Sequence, residues 1–424
     1  MKKSLLFPLI CLFSCVSNHG EDDSKATDVS IKGTFVQPWL CSSWNDAQWE
    51  AEFASLKEAG MEYLIIAPAL HNDEYGKKTA VYPSSLAPDS PDMLEKCLQH
   101  AQKNGFKIFI GLNMDERWWK VDYTDYWLYE QMEIGNLVAD EILRRYKSRY
   151  AETLYGWYWV WEVDNLNCNT EERRNILSNA LNINLDHLEE VSPDMPLMLS
   201  PFVNYRVGDD ADGCRRMWEG IFAKTHFRAG DIFAPQDCIG AGGLTLDRLP
   251  VWLDRLNEAV KSKPGLLCWS NVENFDSQSW TSATIDRYAK QIELAKPFVS
   301  GMITFSYCHY YSPSNCNGKL HNAYLYYRNK GELPVIPVPA AVSEVTYEKK
   351  GQETCLTWKL PTDQSELLGI RIYKSSSLLK TLQMDKNAVC AVDFTDPNPS
   401  DGPYEVSTYN VVGGESSKIK AISK

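Results

Sequence analysis

No stretch beyond Phe13 is apolar for long enough to cross a bilayer, which takes about 20 such residues in a helix. Positive charge is also short: 43 Lys and Arg against 56 Asp and Glu leave a formal net charge of −13. Nucleic-acid binders carry clustered Lys and Arg, so no nucleic-acid partner is expected. A glycine-rich phosphate turn of the G-x-G-x-x-G kind is missing after every strand-like run. Gly240–Gly243 is glycine-rich, but it follows the polar Gln236-Asp237 and does not lead directly into a helix. The 12 cysteines are scattered, with no C-x-x-C spacing to mark zinc or a redox pair. Asp115, Glu162, Asp237 and His309 could face one cation, yet nothing in their spacing singles out a metal. Neither a metal nor a cofactor is expected. Cys355 and Cys390 could bridge in an oxidising compartment, and free buried thiols fit them as well.

What is present begins with an address. Lys2 and Lys3 precede the apolar run Leu5–Phe13, too short for a membrane span and of the length of a signal segment. Leu12-Phe13-Ser14-Cys15 resembles the lipobox of bacterial lipoproteins, which implies cleavage after residue 14 and a lipid on Cys15. Residues 15–30 are polar and read as a tether. Their acidic trio Glu21, Asp22 and Asp23 resembles the surface-export signal of some Gram-negative lipoproteins. The expected location is therefore the outer membrane, facing the cell surface or the periplasm and held by the lipid anchor alone.

From residue 31 to 332 the pattern alternates strand and helix eight times. Strands read at Gly33–Trp39, Tyr63–Ala67, Lys107–Leu112, Gly156–Trp161, Leu197–Pro201, Asp231–Ala234, Leu266–Trp269 and Met302–Phe305. Between them lie amphipathic stretches such as Trp49–Ala59, closed by Gly60. Eight such units in about 300 residues predict a (β/α)₈ barrel. Residues 333–339, with Pro334–Pro339 reading PVIPVP, form a stiff linker. Residues 340–424 change to short strands separated by turn residues, which predicts a small all-β sandwich. Its Trp358 and late Tyr404 resemble those of the immunoglobulin-like fibronectin type III domains.

Chemistry in such barrels sits at the carboxyl ends of the strands. Leu154–Asn165, reading LYGWYWVWEVDN, runs from aromatic and β-branched residues straight into Glu162, Asp164 and Asn165. The seventh strand ends in the same way at Trp269, Asn271 and Glu273. Glu162 and Glu273 are three units apart, so they face one another across an eight-stranded mouth. Opposed carboxylates suit glycoside hydrolysis, in which one donates a proton and the other stays ionised to attack the anomeric carbon or activate water. The remaining strand tips offer Gln37, Trp39, Asn113, Asp115, Trp118, Asn204, Gln236, Asp237, Tyr307, His309 and Tyr310. Together with Asp164, Asn165, Trp269 and Asn271 these are the candidate substrate-binding residues, since amides bond hydroxyls and aromatic faces stack on pyranose rings. The loop Asp73–Pro83 is expected to wall the cleft.

Those motifs carry a resemblance. An acid/base on strand four and a nucleophile on strand seven is the arrangement of the retaining TIM-barrel glycosidases. Gly156-Trp157-Tyr158 with Glu162-Val163-Asp164-Asn165, Ala234-Pro235-Gln236-Asp237, Trp269-Ser270-Asn271-Val272-Glu273 and Phe305-Ser306-Tyr307 with His309-Tyr310 resemble a bacterial family of glycosidase-like barrels, catalogued as a domain of unknown function. The resemblance implies that Glu162 is the acid/base and Glu273 the nucleophile, acting on a neutral glycan or oligosaccharide. One departure matters: the superfamily commonly has Asn before its strand-four Glu, to hold the sugar 2-hydroxyl, and Trp161 stands there. Asn165 or Asn204 is the expected substitute. The departure supports a second expectation, a non-hydrolytic glycan-binding lipoprotein on the same barrel.

Overall fold

The computed structural model of the chain describes residues 30–120, 124–399 and 402–424. The expected leader, the lipidation site Cys15 and the tether up to Val29 lie outside the described residues. Eight parallel strands close into a barrel: β1 (Ile31–Val36), β2 (Tyr63–Ile66), β3 (Lys107–Gly111), β4 (Leu154–Trp159), β5 (Leu197–Leu199), β6 (Ile232–Phe233), β7 (Leu267–Glu273) and β8 (Gly301–Phe305). Helices α1 (Asp46–Glu58), α2 (Met93–Asn104), α3 (Asp125–Ile142), α4 (Glu171–Val191), α5 (Ala211–Phe222), α6 (Leu249–Lys261), α7 (Ile285–Ala295) and α8 (Gly318–Lys330) surround it. The sequence signals for these helices are local. Asn45 and Gln48 exchange hydrogen bonds of 3.0 Å in a capping box that starts α1. Gly105, at φ +78°, ends α2 in the left-handed region open to glycine. Among the described residues, no helix is long and apolar enough to cross a membrane.

Strand alternation decides what reaches the mouth. On β4, Trp157 and Trp159 turn outward and are fully buried against the helices. Their indoles donate to Ser192 Oγ at 2.9 Å and Asn184 Oδ1 at 3.0 Å. Tyr158 turns inward to Phe35, Phe109, Met198 and Ile303, the plug of the barrel. Continuing the alternation places Trp161 outward, packed on Trp118, Trp127 and Trp159, and Glu162 inward. Trp269, near the start of β7, lies beside Tyr63 at the amino-terminal end of the barrel.

The C-terminal sandwich has β9 (Ser343–Lys350), β10 (Glu353–Lys359), β11 (Gly369–Lys374), β12 (Ser377–Gln383), β13 (Asp393–Asp396), β14 (Tyr404–Tyr409), β15 (Ile419–Lys420) and β16 (Ile422–Ser423). They form two four-stranded sheets, ordered β13-β10-β9-β16 and β12-β11-β14-β15. Strand β12 is not marked as a strand by the sequence pattern. Its polar turn, with Ser375 and Ser376 at positive φ, looks in sequence like a loop. Cys355 and Cys390 are free thiols. Hydrogen bonds fix the sandwich to the barrel, among them the main-chain bond from Ile285 N–H to the Val411 carbonyl at 2.8 Å. The Lys319 ammonium also donates to the Leu367 carbonyl at 2.8 Å.

Candidate active site

One cleft of about 1690 Å³ opens at the carboxyl ends of the barrel strands, and Glu162 and Glu273 both line it. It exceeds the 300–1,000 Å³ usual for small-molecule pockets. Gln37, Trp39, Gln236, Asn271, His309 and Tyr310 line it too, as expected.

The two carboxyls sit in different surroundings. Glu162 Oε1 accepts from Gln236 Nε2 at 3.1 Å, and its carbonyl accepts from the Trp118 indole at 3.1 Å. Burial and the nearby Asp164 charge hold its carboxyl above the ordinary range, against the pull of the Gln236 bond. Glu273 is only 1% exposed, and its Oε2 accepts the Ala241 main-chain N–H at 2.7 Å. Burial first, then the Asp237 carboxylate beside it, push it up to about 8. Gly240 is wrapped so closely that a Cβ there would stand 2.4 Å from the Phe275 carbonyl and 3.1 Å from Glu273 Oε2. Only glycine lets that loop approach the carboxyl.

Asn271 is the bridge partner of Gln236, which bonds Glu162. Asn271 Nδ2 donates to Ser200 Oγ at 3.1 Å, and Asn271 Oδ1 is buried with no hydrogen-bond partner among the described residues. His309 Nε2 accepts from Gln37 N–H at 3.2 Å. Burial lowers its pKa to about 4, so it is a neutral ring at physiological pH.

Nine expected contacts do not line the cleft. The chain beyond β3 leaves the barrel and pairs with the hairpin strand Leu70–Asn72, so Asn113 and Asp115 turn to Gln131 and Asn72. Trp118 is buried against Trp161. Asp164 binds the main chain of Leu166 and Asn167. Asn165 gives its amide to the Asn204, Val207 and Asp209 carbonyls, and Asn204 caps Arg206 N–H. Neither substitutes for the asparagine displaced by Trp161. Asp237, 0% exposed, accepts from Glu273 N–H and Gln291 beneath the site. Trp269 is at the opposite end of the barrel, and the Tyr307 hydroxyl bonds His321 Nδ1 outside it.

Other cleft residues were not among the substrate-binding candidates: Phe35, Tyr158, Phe202, Phe275, Trp119 and Trp280. Trp39, Trp119 and Trp280 stand 69%, 52% and 68% exposed on its rim. Exposure of three such large apolar rings around one cleft is the pattern of a ligand surface. The loop after β2 contributes residues 76–81, as expected for a wall, and also 86–91. Tyr82 itself is buried with its hydroxyl on Glu141.

The closed (β/α)₈ barrel, with one large cleft at the carboxyl ends of its strands, has the TIM-barrel fold. A crystal structure of a candidate alpha-L-fucosidase from Bacteroides thetaiotaomicron superposes with TM-score 0.57 at 21% identity, over 76% of this chain and 98% of that one. At that identity the likeness concerns the fold. An endo-beta-1,4-mannanase from Thermotoga petrophila aligns over 93% of this chain and 98% of its own, at TM-score 0.47 and 12% identity. The chain belongs to the family described as Domain of unknown function (DUF4434), which matches residues 31–317. A curated relative, the uncharacterized protein YbcH of Escherichia coli (strain K12), is 26% identical over 196 residues. That match covers 46% of this chain and 62% of the relative, less than two thirds of its length.

Proposed function

We propose that the protein is a glycoside hydrolase acting on a neutral glycan or oligosaccharide, with Glu162 as acid/base and Glu273 as nucleophile in a retaining mechanism. The observation that carries this reading is the pair of cleft-lining glutamates, each raised by burial and set among rim tryptophans. In the first step Glu162 gives its proton to the leaving glycosidic oxygen while a Glu273 oxygen bonds the anomeric carbon. In the second step Glu162 takes a proton from water, which displaces Glu273 and leaves a reducing end. Asn271 and Gln236 line the cleft, which supports a sugar-binding role for them beside the glutamates.

The test is reducing-end release from manno-, xylo-, gluco- and fuco-configured oligosaccharides, with the anomer of the first product read by NMR. Retention of configuration in the nascent product is expected. Inversion would overturn the assignment of Glu273 as nucleophile.

A second reading, saturable glycan binding without hydrolysis, is favoured by one observation. Trp161 is buried away from the cleft, and Asn165 and Asn204 are committed to their own loop. Binding measured by calorimetry with no reducing-end release would establish it.

We also propose that the protein is a lipoprotein with a fibronectin type III-like C-terminal domain, anchored in the outer membrane through Cys15. Support comes from Lys2, Lys3, the run Leu5–Phe13 and the Leu12–Cys15 motif. Metabolic palmitate labelling is expected to be complete in the wild type and absent from Cys15→Ser; equal labelling of both would refute the anchor.

A further inference from the structure

Two residues beyond Glu273 the chain makes a small hairpin, Phe275–Asp276 against Thr281–Ser282. Its turn carries Trp280 at φ +54°, a conformation costing an L-residue about 1–2 kcal/mol. The indole stays exposed, so its own burial does not offset that cost. It lies parallel to Phe275, at 5.8 Å and 4°, and Phe275 stacks in turn on Tyr310 at 5.5 Å and 23°. All three rings line the cleft. Strain held at an exposed, cleft-facing residue points to a functional use.

What holds the strained turn is the sandwich. Gln383, at the end of β12, clasps Ser282 twice: its Oε1 accepts Ser282 N–H at 2.8 Å and its Nε2 donates to Ser282 Oγ at 3.1 Å. Ser282 Oγ passes the connection on to the Tyr310 carbonyl at 2.5 Å. At the turn itself, Thr381 N–H donates to Ser279 Oγ at 2.9 Å and Gln278 Nε2 to the Leu378 carbonyl at 3.0 Å. The edge of β12 is thereby covered, which also removes an unpaired strand edge from solvent. Covering that edge alone would not require a tryptophan, nor one in the left-handed region.

We propose that the C-terminal sandwich braces the substrate cleft: β12, through Gln383 and Thr381, positions Trp280 as a stacking platform for a sugar unit distant from the bond being cleaved. The substrate is then an oligosaccharide of several units, in keeping with a cleft of about 1690 Å³. This rests on the glycosidase reading. Gln383 is a positioning residue, and Trp280 is the residue that touches sugar.

The test has two readouts on the full chain. Hydrogen exchange needs no ligand: in Gln383→Ala the amides of residues 275–282 are expected to exchange at least about ten-fold faster, with the β7 and β8 amides unchanged. Unchanged exchange in the hairpin overturns the brace. Kinetics use mannohexaose, xylohexaose and cellohexaose with the matching disaccharides. Both Trp280→Ala and Gln383→Ala are expected to raise KM on the cleaved hexasaccharide by about five- to ten-fold with kcat within two-fold, and to leave the disaccharide unaffected. Gln383→Glu, which keeps the acceptor for Ser282 N–H, restores part of the loss. An unaltered hexasaccharide KM in Trp280→Ala overturns the subsite while the glycosidase reading stands. A wild type that neither binds nor cleaves any of the six removes the subsite together with that reading, and the exchange result then decides the brace alone.

Discussion

Glu273→Ala is expected to lower kcat by about 10³–10⁴-fold or more on whatever glycan the wild type cleaves, because in the proposed mechanism its carboxylate forms the bond to the anomeric carbon. Molar azide should then restore turnover and yield a glycosyl azide of inverted configuration, since the anion occupies the space the carboxylate has left. Glu162→Ala, rescued by the same anion, should instead yield a glycosyl azide of retained configuration on substrates with good leaving groups. Exchanged stereochemical outcomes would exchange the two roles, and Glu273→Ala keeping a tenth or more of wild-type activity would remove it from the reaction. The same carboxyl has a stability signature. Its folded-state pKa, about 8, lies above its ordinary value of 4.5, so the folded state binds the proton more tightly than the unfolded chain. The stability this represents is complete below about pH 4 and is lost as pH rises through 8. Glu273→Gln should therefore melt close to wild type at pH 5 and above it at pH 9, with the gap opening across that window. A substitution that removes function yet raises the melting temperature identifies a residue kept for chemistry rather than for packing.

The sequence exposes the barrel because each strand is a short apolar run between amphipathic helices, and that alternation is local information. Alternation along β4 and β7 also suffices to point Glu162 and Glu273 inward. It fails for Asn113, Asp115 and Trp118. There the chain has already left the barrel to pair with Leu70–Asn72, a contact some forty residues away in sequence. Trp269 misleads for a different reason. Strand β7 runs seven residues, Leu267–Glu273, so its inward positions reach from the floor of the barrel to the mouth, and only the later ones meet substrate. Asp164, Asn165 and Asn204 look like ligands of a sugar but satisfy main-chain groups of the very loops that carry them, a common use of Asp and Asn. Trp280 gives no local signal at all. Its place on the rim depends on β12, about a hundred residues further along the chain.

Asp237→Asn is expected to change the pH dependence of hydrolysis more than any other substitution that leaves both glutamates in place. Asp237 is itself raised to about 6, by burial, and its charge lies against Glu273 and raises it further. Arg287 acts weakly in the other direction, and Glu162 adds a smaller push upward. In the proposed mechanism the productive form has Glu273 ionised and Glu162 protonated. Burial and the Asp237 charge, by raising Glu273, disfavour this form, and the alkaline limb of kcat/KM follows the last proton lost by the pair. An asparagine at 237 keeps an oxygen for the Ile239 and Glu273 N–H groups but carries no charge. The pKa of Glu273 falls, the alkaline limb moves to lower pH, and the productive fraction grows, so the rate at the optimum should rise several-fold or hold rather than drop. If Glu273 were instead the proton donor, the same substitution would move the limb in the same direction but lower the rate at pH 7, because the acid would be deprotonated. The direction of the limb thus checks the electrostatics, and the sign of the rate change at the optimum checks which glutamate carries the sugar.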